Sequence, residues 1–349
     1  MHTSGKASQL FITLFVAATA PLLLLRVNSF SAVPAWSQVA ELLLLSVVFV
    51  LFFVPSYFLL KNTDSDIFLV AQRKTPVSAL FISELYVSFF VFATVKTLKN
   101  YTDMMTTAIN PDANSYVIAF CIMVVCIYAS VKGIGAVTRS GIVIFAIFVV
   151  CLVTIFLGDI SKIELNNFSF GFDGVLNKNN IFFDLTPVFV SAPIFAVLCG
   201  NTKGNKGKTL TAFTIISVVT ISLIVFFTTA VLGKFSGERS FSFYTLSKVS
   251  GTVEFSGFDS FYLIASASSV IILISLLLVS INKSVDKNGS VKNTLMFSAI
   301  VYVLFVCSEN ILFVADILYN EYVFLPLCFV FSVAIPLGYL AKYGRKNRR

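Results

Sequence analysis

The chain has 349 residues, of which 57% are hydrophobic and only 12% charged, where a soluble domain carries roughly a quarter. With 38 Phe among so few charges, a soluble fold could not cover its own surface, so the medium this sequence suits is lipid. A net charge of +8 would suggest nucleic acid in a soluble protein. Here it is first sorted by membrane side, because basic residues mark cytoplasmic loops.

A span needs about 20 mostly apolar residues. Such runs fall near 8–26, 37–60, 77–99, 115–131, 141–160, 182–200, 209–233, 259–281, 295–313 and 321–341. Lipid forces backbone groups to pair within each run, so these are read as helices. A β-barrel would alternate in segments of about ten residues, and these runs are continuous. The expectation is an all-α integral membrane protein of about ten transmembrane helices, one transmembrane domain over 1–349. A basic cytoplasmic tail follows at 342–349, a topology anchor or a contact to acidic membrane lipid or a partner. Residues 31–35 loosely resemble a signal-peptide cleavage site. The run 7–25 is longer than the about 7–15 residues of such a segment, so it is read as a retained span.

With the N-terminus inside, inner segments hold Lys6, Lys61, Arg73, Lys74, Lys132, Arg139, Lys203, Lys206, Lys208, Lys283, Lys287, Lys292, Lys342 and the run at 345–349. That is most of the 25 basic residues. Inner acids are Asp64, Asp66 and Asp286, while Asp159, Glu164, Asp173, Asp184, Glu238, Glu254, Glu309, Asp316 and Glu321 gather outside. Both termini are therefore placed in the cytoplasm, and the basic balance needs no nucleic acid.

Ten spans divide into five and five, and an odd number per half inverts the second half. Repeats over about 8–160 and 182–341 would carry their breaks in spans one and six, as in many transporters. Span one has Thr19-Ala20-Pro21-Leu22, and span six has Ser191-Ala192-Pro193-Ile194. Pro lacks an N–H, so the carbonyls of Ala17 and Phe189 lose their usual partners and become available to a ligand. The half-helix ends offer N–H groups to a carboxylate and carbonyls to an ammonium. Ala17, Ala18, Ala20 and Ala192 leave room for close approach, and a zwitterionic amino acid fits both ends. The alternative is that each Pro only kinks its helix, and Pro187 competes as the break in span six.

Among intramembrane polar residues, Glu84 lies inside span three, where an ionisable group is by default functional. It is read as a cation or proton site, or as a neutral Glu near the interface. Asp259, Tyr262, Ser266 and Ser269 follow helical spacing and form one stripe, which lines a pathway or joins helices. Ser83 and Tyr86 are weaker candidates. The six cysteines sit in apolar runs without metal-ligand spacing and read as small buried hydrophobes. His2 is the only histidine, no phosphate loop occurs, and no catalytic, metal or cofactor constellation is visible. The chain reads as a non-enzyme.

Three stretches resemble the B subunits of spore germinant receptors, members of the amino acid–polyamine–organocation transporter superfamily. They are YASVKGIGAVTR at 128–139, FDSFY at 258–262, and AIPL at 334–337 before the basic tail. The resemblance implies ten helices with spans one and six broken, an amino-acid-type germinant at the midplane, and endospore inner membrane. It implies an A-type subunit and a lipoprotein C-type subunit as partners. On it, residues near Pro21 and Pro193 face the ligand. Ala17 and Ala18 stand where the family usually has Gly, Gly135 where an acid is usual, and Ser268 and Ser269 where an aromatic is common. The function expected is a germinant-binding receptor subunit. Alternatives are an H⁺- or Na⁺-coupled amino acid transporter and a non-binding scaffold.

Overall fold

The computed structural model describes residues 6–25, 35–63, 66–72, 76–168, 182, 185–202, 204–238, 240–250, 258–285 and 290–343. The stretch 31–34 and the tail from 344 fall outside these. Among the described residues the chain is helical, without a β-strand. The helices are α1 (Ala7–Leu23), α2 (Ala35–Thr63), α3 (Ile67–Gln72), α4 (Pro76–Met104), α5 (Ser115–Val131), α6 (Ile134–Asp159) and α7 (Ser191–Leu198). Then come α8 (Lys206–Leu232), α9 (Ser242–Val249), α10 (Asp259–Val285), α11 (Val291–Asn310), α12 (Leu312–Tyr319), α13 (Glu321–Phe329) and α14 (Ile335–Tyr343).

Every expected span meets one of these helices. Seven helical segments are long and apolar enough to cross a membrane, and Ala7–Leu23, Ser115–Val131 and Thr186–Leu198 are shorter apolar helices. The outer helices present Leu43, Val117, Val150, Ile215 and Val303 outward, the surface of a protein whose solvent is hydrocarbon. This is an all-α integral membrane protein.

Local chemistry sets the helix ends. Asn114, Asn205 and Asn320 accept hydrogen bonds from backbone N–H groups at the starts of α5, α8 and α13, the usual work of an N-cap Asn. Gly133 takes φ +82° between α5 and α6, a left-handed turn that glycine reaches at no steric cost. It folds the two helices into a hairpin, so α6 begins at Ile134 rather than near 141.

Two further boundaries differ from expectation. Helix α4 passes 99 to Met104 and ends in a π turn, Met105–Ile109. The last span is split by a π turn at Val330–Ala334, downstream of Pro326, whose missing N–H upsets the helical ladder. Neighbours meet carbonyls of that turn: Tyr86 donates its hydroxyl to Phe331 and Ser56 to Ser332.

The centre belongs to α1, α10 and span six. All residues from Thr13 to Leu23 are buried, as are the 3₁₀ turn Thr186–Val190, all of α7, and α10 from Ile272 to Asn282. Phe11 of α1 meets Phe195 of α7 at 5.5 Å, while Phe52 of α2 stacks on Phe189 at 4.6 Å. Helices α1 and α6 touch at Gly141, where an added Cβ would lie 2.4 Å from Thr13 Oγ1 and 2.9 Å from Thr13 Cβ. Gly141→Ala should therefore destabilise the protein by about 1–3 kcal/mol through overpacking. Thermal unfolding in detergent measures this, and Thr13→Gly in the Gly141→Ala background should recover most of the loss.

Candidate functional site

At about 1.5 Å per residue, the 17 residues of α1 fall short of a hydrocarbon core about 30 Å thick, so the helix stops inside the bundle. Its exposed end is met by a partner. The Tyr262 hydroxyl donates to the Leu23 carbonyl at 2.5 Å and lies 2.9 Å from Met104 Sδ. Within α1, the Thr19 hydroxyl donates to the Val16 carbonyl at 2.8 Å.

Span six runs antiparallel beside it, with Phe195 level with Phe11 and its start level with the end of α1. Pro193 stands in the first turn of α7 and has no N–H to offer the Phe189 carbonyl, so the α-helical ladder does not continue back into Thr186–Val190. The chain there winds as the tighter 3₁₀ turn Thr186–Val190. The Ser191 hydroxyl donates to the Val188 carbonyl at 2.9 Å.

Between the two breaks lies a cleft. Pro21 and Leu24 line it from α1, Pro187 and Val190 from span six, Lys96, Thr97 and Asn100 from α4, and Phe324 from α13. Its free space is about 10 Å³, about one water, so the site is closed. Lys96 is 3% exposed. Its ammonium donates to Glu321 Oε1 at 2.8 Å and to the Leu318 carbonyl at 2.6 Å, and lies 5.1 Å from the Phe324 ring centre. Two of its three donors are used. The other Glu321 oxygen accepts from the Thr186 hydroxyl at 3.0 Å. One carboxylate thus ties α4, α13 and the start of span six together.

One turn further along α4, Lys99 pairs with Asp103 at 2.9 Å and with Glu309 at 2.8 Å, and Tyr319 donates its hydroxyl to Asp103. At the opposite end of the bundle Lys283 pairs with Asp66 at 3.1 Å and donates to the Val197 carbonyl at 2.5 Å. Ion pairs thus stand at both ends of the central helices.

The sequence-predicted residues separate accordingly. Pro21 lines the cleft, but its partner across it is Pro187; Pro193 is buried in α7 behind it. Ala17, Ala18 and Thr19 are buried in the two turns of α1 before the cleft, and Phe189 turns to Phe52. Tyr262, Ser266 and Ser269 form the expected buried stripe of α10, with Ser268 off it. Tyr86 serves the π turn of the last span, away from the cleft. Glu84 is exposed on the outside of α4, away from the cleft. Cys121 is exposed rather than buried.

Sequence reading missed Lys96, Thr97 and Lys99, which lie within span three as read, and Asn100 just past its end at 99. The spacing of Lys96, Lys99, Asn100 and Asp103, at steps of three and four, already marks one helical face.

Residues 6–314 match the spore permease family, described as spore germination protein. The chain belongs to that family. A search of curated proteins finds no match. Within this spore permease, the matched stretch includes both helix breaks and Lys96, whereas Glu321 lies beyond it. Lys96→Met should destabilise the spore permease by on the order of 3 kcal/mol, because it strands the Glu321 carboxylate. Adding Glu321→Gln should restore more than half of that loss. A double-mutant cycle on thermal unfolding checks this, and additive losses would mean the pair is not coupled.

Proposed function

We propose that this spore permease is the germinant-binding membrane subunit of a spore germination receptor, and that the germinant is a zwitterionic α-amino acid held at the cleft. The observation carrying this reading is the Lys96–Glu321 pair, whose buried lysine stands on the wall of the cleft between the end of α1 and the start of span six. A zwitterion brings both missing counter-charges: its carboxylate to Lys96 and its ammonium to Glu321. Separating a buried ion pair is costly, and an amino acid is among the few small ligands that compensate both halves at once. Leu24, Val190 and Phe324 then meet its side chain.

Because the cleft is closed, binding has to part α4 from α13 and from Thr186, and that movement is what a receptor would pass on. Its recipients are the A-type and lipoprotein C-type subunits. The charge distribution supports cytoplasmic termini, and the family match supports the endospore inner membrane. The antiparallel pairing of α1 with span six, each broken at one level, supports five-plus-five inverted repeats. A second reading, a secondary amino acid transporter, is favoured by the ion pairs at both ends of the central helices, as gates that open in alternation.

The purified protein should bind an α-amino acid saturably and reject its carboxamide and its N-acetyl form. Lys96→Gln should weaken binding at least tenfold, about 1.4 kcal/mol, with the fold intact by circular dichroism. No saturable binding of any amino acid would sink the reading. Accumulation of amino acid in proteoliposomes, with spore germination unchanged on gene deletion, would establish the transporter instead.

A further inference from the structure

Helix α1 is enclosed on all sides from Thr13 onward, yet near its N-terminal end Ser8 is exposed and Ile12 half-exposed. There a groove of about 140 Å³ opens between α1, α6 and α8. Its walls are Phe11, Phe15, Phe145, Phe213 and Ile216, and its two hydroxyls, Ser8 and Thr209, stand at one end. Both begin their helices, so the polar end of the groove is the end of the bundle where α1 and α8 start. Ala212 and Ile216 form the outward rim and are exposed. A cavity of about 150 Å³ with walls like these stays dry and takes apolar guests such as benzene. Water would not fill this one, and the medium at its rim is hydrocarbon.

The polar end carries one sign of charge. Lys206 precedes Thr209 by three residues, on the helix face that also bears Ala212, Phe213 and Ile216. Lys208 is exposed beside it. Lys6 directly precedes α1, and a Cβ on Gly204 would lie 3.6 Å from that of Ala7, which brings the two helix starts together. Helices α1 and α8 contain no acidic residue, and Asp159 is the only one in α6, at its far end. At that same end of the bundle Asp66 is already held by Lys283.

We propose that this groove is a site for an anionic phospholipid, one acyl chain lying against Phe11, Phe15 and Phe213 with the phosphate among Lys6, Lys206 and Lys208. The apolar slot selects a hydrocarbon chain and the lysines select the anionic headgroup. The site lies on a different part of α1 from the cleft. The chain packs on the helix whose other end carries Pro21, so the lipid buttresses α1 where protein does not enclose it.

The full-length protein in nanodiscs would be labelled with phosphatidylglycerol carrying a photoreactive acyl chain, and the adducts mapped by peptide mass spectrometry. Adducts should concentrate on residues 8–15 and 209–216. They should fall at least fivefold in Ala212→Trp, which fills the rim, and in the Lys206→Gln/Lys208→Gln double variant. An equivalent phosphatidylcholine probe should label these peptides at least fivefold less. Should Ala212→Trp fail to fold, the lysine variant and the two-probe comparison decide. Labelling spread evenly over the exposed helices would overturn the proposal, as would equal labelling by the two lipids. Recovery of groove peptides crosslinked to a second copy of the chain would overturn it too.

Discussion

Hydrocarbon offers a broken helix nothing to bond to, and this constraint organises the molecule. At several places where a helix stops or changes pitch within the bundle, a side chain from a neighbour reaches the freed carbonyl. Tyr262 meets Leu23 at the end of α1, Tyr86 meets Phe331 in the π turn, Lys96 meets Leu318 before α13, and Lys283 meets Val197 at the end of α7. The same logic holds at the end of α8, where Asn167 donates its amide to the Ala230 carbonyl at 2.8 Å. An unsatisfied polar group in lipid costs several kcal/mol, so these contacts are conditions for having breaks at all.

Two of the same donors also carry charge, which links the architecture to the site. Lys96 and Lys283 each hold one backbone carbonyl and one carboxylate, at opposite ends of the bundle. A charge in this setting is tolerable only while paired. A ligand that replaces one partner can therefore move the element the partner belongs to. At Lys96 that element is α13, tied in turn to Thr186 at the start of span six. The cleft, the helix breaks and the ion pair are thus one mechanical unit.

Much of the fold was legible in the residues, for reasons that are one-dimensional. Runs of apolar residues about 20 long report solvent, and each of the ten met a helix. Pro21 and Pro193 report missing N–H groups, and each stands near a helix end, Pro21 two residues before the end of α1 and Pro193 in the first turn of α7. The period of Tyr262, Ser266 and Ser269 reports a face, and that face is buried. The failures are equally physical. Apolarity carried span three to 99 without singling out the charges inside it, so Lys96 and Lys99 passed unremarked, and the helix runs on to Met104. Depth in an apolar run says nothing about rotation around the helix axis, so the sequence left two readings of Glu84 open, and its exposure on the outside of α4 is a matter of packing.

Sequence alone determined that this chain lives in lipid, that it is helical and where its helices lie, because solvent and backbone chemistry are written residue by residue. Its family could be read from the order and spacing of short motifs. Only the tertiary structure decided which residues meet at the breaks: Pro187 rather than Pro193 across from Pro21, and Lys96 with a carboxylate 225 residues away. Pairing across that distance depends on how ten helices are rotated and stacked, and no local pattern encodes it.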